Sequence, residues 1–579
     1  MYKKLFMEKI NYFDNGSLKY GDLIETTIQF TLKKQLLKSD LWAKFVDVFR
    51  TKEDSSDLGW RCEFWGKMMR GACLVYQYEP NDLLYETLKK TVIDLLTTQD
   101  ELGRFTSYKD EFKGWDMWGR KYIITALLHF CRICKDNNLK ENIITAVKKH
   151  ANYIIEKIGP NDDQINILTT SNIWGGLNSA SIAETFVDLY KTTNEKKYLD
   201  FSKYIIDSGG CLNGNLILLA YEGKLAPHEY PVTKAYEMMS FFEGCLEYYS
   251  VTKDKYYFTV FKNFIEKVRD EEISVIGCAG CTDELFDNSA KVQTEFRNKH
   301  MQETCVTVTW MRILAKYYQI TGEKWCIDSI EQAALNGLYG SINIFDQKGF
   351  AFEDNSYIEP LPFDSYSPLV NSRRGIRVGG YKILKDGTRY GCCACIASAG
   401  IALFPLNGAL RSEDNLLINF LMPCKITDNN CDIEIEGNYL TDSMIKIKIR
   451  DFGNFKKIKI RIPTYFKNVK VSSGLLTNNE LTLSKKEEIL ISFKIDINEE
   501  AINEKIYFKY GPLVLGQDNL INNYNPVSIK KGIKNIKKVK AKNGEIIRFN
   551  IDGVNFANYS SLGKKWNEPS CVSIFCTTK

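Results

Sequence analysis

The stretch Tyr190-Lys191-Thr192-Thr193-Asn194-Glu195-Lys196-Lys197-Tyr198 ends one helical segment and opens the next. An aromatic residue closes the first helix, a short polar turn follows, and a second aromatic begins the next helix, which is typical of a helical hairpin. The pattern recurs roughly every 55 to 70 residues, the length of one hairpin with its connection. The other copies are Tyr249–Tyr257 and Tyr318–Trp325, with weaker ones at Tyr76–Asp82 and Cys131–Asp136.

Repetition at this period predicts about six stacked hairpins between residues 41 and 410. Such hairpins can close into an α/α toroid or remain an open solenoid, and the periodicity alone does not choose between them. The connections hold aromatic and polar clusters at Trp115–Tyr122, Trp174–Ser179 and Pro227–Val232. Aromatic faces stack on sugar rings while charged groups bind hydroxyls, so these loops favour a carbohydrate site.

The rest of the chain divides by sequence pattern. Residues 1–40 form an N-terminal extension with a strand-like run at Thr26–Phe30, and this extension could add a strand to a sandwich. Strict alternation of apolar and polar residues predicts an antiparallel β-sandwich over residues 411–505. A second β segment, which includes Ile506–Leu515, is expected over residues 506–579. The alternating runs are Asp432–Glu436, Met444–Ile449 and Lys457–Pro463.

Composition indicates a globular protein of more than one domain. The chain has 579 residues, is 44% hydrophobic, and carries a net charge of only +5. Outside Lys530–Lys542 the basic residues are interleaved with acidic ones, so nucleic acid is not expected as a partner. No apolar run approaches the roughly 20 residues that cross a bilayer, and the N-terminus lacks a signal-peptide core. We therefore expect a soluble, cytoplasmic protein without a membrane partner; its oligomeric state stays open, with a homodimer as one candidate.

Seventeen cysteines in a chain expected to be cytoplasmic indicate reduced thiols, buried or metal-bound, rather than a disulfide framework. Three of them lie in two short motifs, Glu303-Thr304-Cys305 and Cys392-Cys393. The first motif opens a predicted helix, Val306–Tyr318, whose N-terminus favours a thiolate. Adjacent cysteines point the same way only where the backbone bends sharply, and Gly391 offers that freedom. Three sulfurs and one carboxylate oxygen form a donor set for tetrahedral zinc.

Two other interpretations of the cysteines stay open at this point. Buried free thiols beside a helix-capping Glu303 account for the same residues without a metal. Alternatively, a separate structural zinc knuckle could form from Cys278, Cys281, Cys393 and Cys395. In both cases the cysteines would take no part in catalysis.

The string Gly280-Cys281-Thr282-Asp283-Glu284-Leu285-Phe286, followed by Glu303-Thr304-Cys305 and Cys392-Cys393, resembles glycoside hydrolase family 127, whose founding activity is β-L-arabinofuranosidase. The resemblance extends over nearly the whole chain. It implies an α/α six-hairpin toroid followed by C-terminal β-sandwich domains, and a zinc-dependent retaining glycosidase that acts on a small oligosaccharide or glycoside. The further matching strings are Phe64–Lys67, Trp115–Tyr122, Lys234–Ser240 and Gly511–Leu515.

The resemblance also implies roles for the motif residues. Cys392 would be the nucleophile and Glu284 the acid/base, although Asp283 replaces a glycine of the family motif. A zinc-bound thiol is deprotonated at neutral pH, so Cys392 could attack the anomeric carbon while Glu284 protonates the leaving oxygen, with net retention of configuration. The zinc ligands would be Glu303, Cys305, Cys392 and Cys393.

Several residues are candidates for substrate binding. His228 stands in a His-x-x-Pro-Val setting that resembles the family's substrate-binding histidine. The others come from the polar and aromatic clusters, where packing is the alternative role of each. They are Trp115, Asp116, Trp118, Arg120 and Glu237.

Two departures from the family pattern bear on which sugar the protein binds. Founding members carry a histidine two positions before the Cys-Cys pair, where this chain has Tyr390, and a second near Glu237, where it has Phe241. These changes predict that Tyr390 marks an altered substrate. An acidic or differently substituted plant sugar, favoured by Arg120 and Lys121, is the alternative to L-arabinofuranose.

Two functions of other classes compete with this prediction. An α/α-toroid polysaccharide lyase or carboxylate-based hydrolase would use Asp116 or Glu237 for proton transfer, and its cysteines would be passive. A non-catalytic carbohydrate-binding protein would keep zinc for structure alone. Activity that survives zinc removal favours the first, and tight sugar binding without turnover favours the second.

Overall fold

The computed structural model describes residues 10–55, 59–297, 301–351, 356–428, 431–522, 527–530, 532–542, 544–566, 568 and 570–578. Helices dominate up to residue 406 and strands beyond it. The α-helices are, in chain order, α1 Asp22–Thr31, α2 Ser39–Thr51, α3 Cys62–Tyr78, α4 Asp82–Leu96, α5 Asp116–Ile133, α6 Asn137–Lys157, α7 Leu177–Ala180, α8 Ala183–Thr193, α9 Lys196–Asp207, α10 Leu216–Glu222, α11 Ala235–Thr252, α12 Lys255–Lys267, α13 Ser289–Val292, α14 Thr304–Thr321, α15 Trp325–Ala333, α16 Tyr339–Ser341 and α17 Cys392–Leu406.

Six inner helices close into a ring. Helix α3 contacts α5, α5 contacts α8, and the contacts continue through α11, α14 and α17 back to α3. Each inner helix follows an outer one, which gives the six hairpins that the repeat predicts. The outer helices are α2, α4, α6, α9, α12 and α15. Because the ring is closed, the helical region is a toroid rather than a solenoid, which confirms the predicted fold class.

The inner helices are enclosed on nearly every side. All 15 residues of α17 are buried, and so is every residue of α3 except Gln77. A helix that is apolar all round is typical of such a position. The charged side chains of α3, which are Glu63, Lys67 and Arg70, are therefore buried inside the toroid, where each needs a partner.

The strand-like run Thr26–Phe30 is helical, contrary to the prediction. It lies in α1, where Ile24, Thr27, Ile28 and Thr31 form a buried face at helical spacing. The hydroxyls of Thr27 and Thr31 donate to backbone carbonyls one turn earlier, each at 2.8 Å. The threonines thus satisfy their polar groups within the helix, and packing of α1 on α17 overrides their β preference.

The C-terminal region is built from sheets, and its strands confirm the predicted alternation: in β12 and β13, isoleucines alternate with partly exposed polar residues. The strands are β1 Ile10–Asn11, β2 Leu18–Tyr20, β3 Gly210–Cys211, β4 Gly214–Asn215, β5 Gly349–Phe350, β6 Tyr357–Ile358, β7 Tyr381–Ile383, β8 Arg389–Gly391, β9 Ala409–Ser412, β10 Asn415–Ile418, β11 Cys424–Asp428, β12 Cys431–Glu436, β13 Met444–Phe452, β14 Lys457–Arg461, β15 Lys467–Val471, β16 Leu475–Thr477, β17 Glu480–Leu483, β18 Glu488–Lys494, β19 Ile497–Ile502, β20 Lys505–Tyr510, β21 Leu513–Asp518, β22 Ser528–Ile529, β23 Ile536–Val539, β24 Arg548–Ile551, β25 Val554–Asn558, β26 Val572–Ser573 and β27 Cys576–Thr578.

Three large sheets result from these strands. Two have six strands each, in the orders β1-β9-β10-β14-β17-β16 and β15-β18-β13-β12-β11-β2, and the third has nine. Their pairing is antiparallel except for β10 with β14 and β22 with β27. The N-terminal strands β1 and β2 each complete one edge of a six-stranded sheet. The isoleucines of both six-stranded sheets belong to one hydrophobic core, as in a sandwich.

The nine-stranded sheet is tied to the toroid. The Asn336 side chain donates to the Pro512 carbonyl and accepts from the Val514 N–H, both at 2.9 Å. Ser372 and Val572 exchange backbone hydrogen bonds, which fixes the long loop that leads to α17. In the described ranges, no helix has the length and apolarity needed to cross a membrane.

Candidate active site

The four predicted metal ligands lie together where two inner helices begin. Glu303 is the N-cap of α14, Cys305 lies in its first turn, and Cys392 and Cys393 open α17. Their ligand atoms lie within 4.8 Å of one another, and all four residues are buried. The Sγ–Sγ distances are 3.4 Å for Cys305–Cys393, 3.8 Å for Cys305–Cys392 and 3.9 Å for Cys392–Cys393. This group could bind a metal ion.

Helix geometry, and not a glycine bend, brings the adjacent cysteines together. Gly391 has φ −119° and ψ 147°, an extended conformation open to any residue. Consecutive residues of an α-helix are rotated by about 100° around its axis, so the thiols of Cys392 and Cys393 can both reach Cys305. The glycine that the site does require is Gly380, which has φ +62° and where a Cβ would lie 2.2 Å from Cys392 Sγ.

The alternative zinc knuckle is not assembled. The Cys278 thiol donates to the Glu303 carbonyl at 3.2 Å, and the Cys281 sulfur accepts from Gln302 at 3.6 Å. Across the described ranges, the Glu303 group is the one cluster of His, Cys, Asp or Glu ligand atoms close enough to hold a metal. The 17 cysteines form no disulfide in the structure.

The four ligand residues differ in acidity. Hydrogen bonds from the Cys305 and Cys393 thiols, with the charges of Lys67 and Lys234, hold the pKa of Cys392 well below its usual range. Burial raises the pKa of Cys305 and Cys393.

The buried donors fit a divalent cation. Burial and repulsion by Glu284 raise the pKa of Glu303 well above its usual value. Its Oε1 accepts from the Cys393 thiol at 3.4 Å, whereas its buried Oε2 has no hydrogen-bond partner among the described residues. A buried oxygen without a partner is costly, and a cation among the four ligands would satisfy it.

A buried ion pair approaches the thiols from α3. Lys67 Nζ lies 3.9 Å from Cys305 Sγ, donates to Glu63 Oε1 at 2.9 Å, and lies 4.5 Å from the centre of the Tyr236 ring. Burial lowers the pKa of Lys67, but Cys305 and Glu63 outweigh it and raise the pKa well above its usual value. Sequence reasoning missed this pair; its signal is a Glu and a Lys four residues apart in a helix that is mostly apolar.

Glu284, the predicted acid/base, lies on a loop beside this cluster. Its φ is +66°, and its carbonyl accepts from the Ala235 N–H at 3.2 Å. The carboxylate accepts hydrogen bonds from the Lys234 ammonium and the Tyr366 hydroxyl, and its side chain is 21% exposed. Sequence reasoning missed both donors. Lys234 stood in a string noted for its resemblance alone, and Tyr366 lies in an irregular loop without a local pattern.

Glu237 and His228 lie near this loop, as candidate substrate contacts. Glu237 is one turn beyond Lys234 on α11, burial raises its pKa, and its Oε2 has no partner among the described residues. His228 Nδ1 is 2.7 Å from Glu272 Oε1, which also accepts the His228 N–H at 3.0 Å. The other Glu272 oxygen accepts two N–H groups just after the Glu284 loop, so Glu272 clamps the histidine to that loop.

The predicted tryptophans differ in their surroundings. Trp118 is buried, donates to Glu63, and has its ring centre 5.1 Å from that of Tyr236, so it supports the Glu63–Lys67 pair. Trp115 packs on Trp118 at 5.7 Å and on Trp60 at 6.1 Å, and its buried Nε1 has no partner among the described residues. Trp115 is therefore the better candidate for a contact with a ligand.

Asp116 and Arg120, both predicted to bind substrate, lie in a buried network of charged side chains. The Asp116 carboxylate accepts from Arg120 Nε at 3.0 Å, from the Phe112 N–H at 2.9 Å and from the Thr106 hydroxyl. Arg120 also donates to Glu111 at 2.6 Å. Both side chains are buried within this network, which ties the loop before α5 to the helix.

Tyr390 and Phe241, which the sequence predicts to mark an altered sugar site, are both buried in packing contacts. The Tyr390 hydroxyl accepts from Gln35 at 2.8 Å, and its ring packs on Phe45 at 5.2 Å and on Phe64. Phe241 is buried against Phe242, in contact with Gly210. Both residues are thereby committed to packing.

Comparisons with known proteins identify a family by sequence and a shared fold by structure. The model of the "Beta-L-arabinofuranosidase, GH127 catalytic domain" matches residues 23–401. The solved structure of the GH127 β-arabinofuranosidase BT3674 superposes with a TM-score of 0.74 at 15% identity, over 99% of this chain and 98% of that one. The GH127 β-L-arabinofuranosidase Ara127N-Se from Geobacillus stearothermophilus T6 gives 0.70 at 13% identity, over 98% and 100%. No curated protein sequence matches the chain.

Proposed function

The chain belongs to glycoside hydrolase family 127, and within this glycosidase family we propose that it is a zinc-dependent retaining enzyme with Cys392 as nucleophile. The residues that would hold zinc are Glu303, Cys305, Cys392 and Cys393. When bound, Zn²⁺ would keep its thiol ligands deprotonated at neutral pH and so supply a sulfur nucleophile.

The spacing of the sulfurs is the observation that carries this proposal. Zinc–sulfur bonds of about 2.3 Å in a tetrahedron place the sulfurs roughly 3.8 Å apart. The three Sγ–Sγ distances here range from 3.4 to 3.9 Å. The thiols are thus already at the separation that one zinc ion requires, and the unpartnered Glu303 oxygen completes the donor set.

Cys392 and Glu284 divide the chemistry between them. In the first step, Cys392 Sγ attacks the anomeric carbon, the glycosidic C–O bond breaks, and Glu284 gives its proton to the departing oxygen. In the second, Glu284 takes a proton from water, the water oxygen attacks the same carbon, and the C–S bond breaks. Two inversions at one carbon retain the configuration.

Neighbouring side chains position these two residues. Lys234 and Tyr366 hold the two oxygens of Glu284 and fix the carboxyl orientation. Glu237 and the Trp115 N–H, which keep unpartnered buried atoms, are suited to bind sugar hydroxyls.

We propose L-arabinofuranosides or related plant-derived sugars as substrates. Arg120 pairs with Asp116 and Glu111, which weakens the argument for an acidic sugar, although its buried Nη1 has no hydrogen-bond partner among the described residues. The same network encloses Asp116 and weighs against a lyase or hydrolase that uses this carboxylate for proton transfer.

Screening of synthetic α- and β-furanosides and pyranosides, with zinc measured in parallel, tests the function. We expect turnover of at least one glycoside and about one zinc per chain. Cys392→Ser should lose about 1,000-fold or more in kcat/KM while remaining folded. The control Cys395→Ala, a buried thiol outside the cluster, should stay within a few fold of the wild type. Full activity of Cys392→Ser, or of zinc-free enzyme, would contradict the proposal.

A further inference from the structure

Trp174 opens a turn in which three consecutive residues have a left-handed backbone. The φ angles are 51° for Trp174, 62° for Gly175 and 86° for Gly176. Such a conformation is uncommon for a bulky residue, and it persists only where the surroundings impose it. Here the Leu212 N–H donates to the Gly175 carbonyl at 2.8 Å, and a Cβ on Gly176 would lie 2.2 Å from the Leu168 carbonyl. These contacts fix the backbone of the turn that carries Trp174, which is 38% exposed.

The indole lies next to the proposed acid/base. Lys234 Nζ is 5.9 Å from the centre of the Trp174 ring, and the same ammonium pairs with Glu284. The exposed fraction is 8% for the Lys234 side chain, 21% for the Glu284 side chain and 38% for Trp174. Exposure to solvent therefore increases in the order Lys234, Glu284, Trp174.

The proposed reaction determines which part of the substrate lies near Trp174. The sugar that reacts must lie between Cys392 and Glu284, because one residue attacks its anomeric carbon and the other protonates the oxygen leaving it. The leaving group is attached to this oxygen and must extend from Glu284 toward solvent. Trp174 is the more exposed neighbour of the Lys234–Glu284 pair, so a leaving group that passes this pair toward solvent would meet its ring.

We propose that Trp174 forms the leaving-group subsite, where its indole face stacks on a ring-bearing leaving group. That ring would be a second sugar or an aryl group, since both offer a flat face to an aromatic side chain. The subsite rests on the proposed function, because it takes Glu284 as the acid. The Leu212 N–H is bonded to the same turn, and Leu212 is a second exposed apolar residue in this segment, at 58% exposure.

Leaving-group dependence of kcat/KM tests the subsite. Three glycosides of one sugar are compared, with a methyl, a nitrophenyl and a sugar leaving group. Trp174→Ala should lower kcat/KM about 5- to 10-fold for the two ring-bearing substrates and less than about 2-fold for the methyl glycoside. Trp174→Phe, which keeps an aromatic face, should recover most of the loss. Tyr221→Ala, which removes another exposed aromatic side chain, serves as control.

Two results would overturn the subsite: an equal loss on all three glycosides, which indicates a structural role, or no loss on any. Should Trp174→Ala not fold, Trp174→Leu removes the aromatic face with less loss of volume and gives the same comparison. Full activity of Cys392→Ser would overturn the proposed nucleophile without changing the leaving-group result. Absence of turnover of every glycoside by the wild type would overturn both proposals.

Discussion

The same six inner helices form both ends of the toroid, but the buried charged groups are arranged differently at each end. Where α14 and α17 begin, three thiols and one carboxylate direct their ligand atoms to a single point. Further along the helices, a cavity of about 640 Å³ is lined by oppositely charged side chains that pair with each other. There Arg70 and Arg312 share Glu184, and Lys191 and Lys316 share Glu247.

This difference separates structural charge from functional charge. Charges that neutralise one another within the chain need no ligand, and removing one partner leaves the other buried and unpaired. At the thiol cluster, four ligand atoms converge and the buried Glu303 Oε2 keeps no hydrogen-bond partner among the described residues, which indicates a site for a ligand that the chain does not supply. Substitutions at one end should accordingly change metal content and activity, and substitutions at the other should change stability.

The largest effect is expected at the end of the toroid that holds Cys305, Cys392 and Cys393, here called the thiol end. Cys393→Ala removes one ligand and should lower the zinc content from about one per chain toward zero, with a loss of about 1,000-fold or more in kcat/KM. Elemental analysis and initial rates measure this, with Cys395→Ala as the matched thiol control. Retention of one zinc per chain by Cys393→Ala would show that the ligand set is assigned incorrectly.

The next largest effect is expected at the end that holds the charged cavity around Glu184 and Glu247, here called the cavity end. Glu184→Gln leaves Arg70 and Arg312 without their shared carboxylate and should lower the free energy of unfolding by about 3 to 5 kcal/mol. Denaturant unfolding measures it. Asp188→Asn, at a pair whose Arg132 side chain is 52% exposed, is the control and should cost less than about 1 kcal/mol. Zinc content should be unchanged in both, and loss of zinc in Glu184→Gln would mean that the two ends are coupled.

A smaller effect depends on pH. Burial raises the pKa of Glu243 to about 7, from the ordinary value of 4.5. The folded protein therefore binds a proton that the unfolded chain has lost, and this stabilisation is fully present below pH 4.5 and lost as the pH rises through 7. Between these limits the wild type should lose roughly 3 kcal/mol relative to Glu243→Gln. The measurement is the free energy of unfolding of both proteins as a function of pH. If it changed equally with pH in the two proteins, the expectation would be refuted.

The smallest effect returns to the thiol end. Tyr366→Phe removes one hydrogen bond to Glu284 and should lower kcat about 10-fold without loss of zinc. Tyr318→Phe, which removes a hydroxyl bonded to Asn419, should leave kcat unchanged. An unaltered kcat in Tyr366→Phe would show that this hydroxyl does not position the carboxyl.

The sequence predicts the parts of the molecule that depend on local spacing. The hairpins follow from a repeat, and the ligand set from motifs that sit at helix starts, where neighbouring residues share one end of the helix. Glu63 and Lys67 carry a weaker local signal, a pair of opposite charges in an apolar helix.

Other features depend on contacts between distant segments and have no local pattern. Tyr366 and Gly380 reach the site from an irregular loop. Asp116 and Tyr390 look available for a ligand in the sequence, yet Arg120 and Gln35 engage them in the fold. The run Thr26–Phe30 has a β preference that packing on α17 overrides.

The most direct test of the account is to trap the sugar on the enzyme. Glu284→Gln lacks the acid/base, but a dinitrophenyl glycoside of the preferred sugar needs no acid to leave, so the first step proceeds and the second stalls. Intact-mass and peptide mass spectrometry should then show one glycosyl unit per chain, attached to Cys392. A glycosyl unit on another residue, or turnover with Cys392 unmodified throughout, would contradict the central claim.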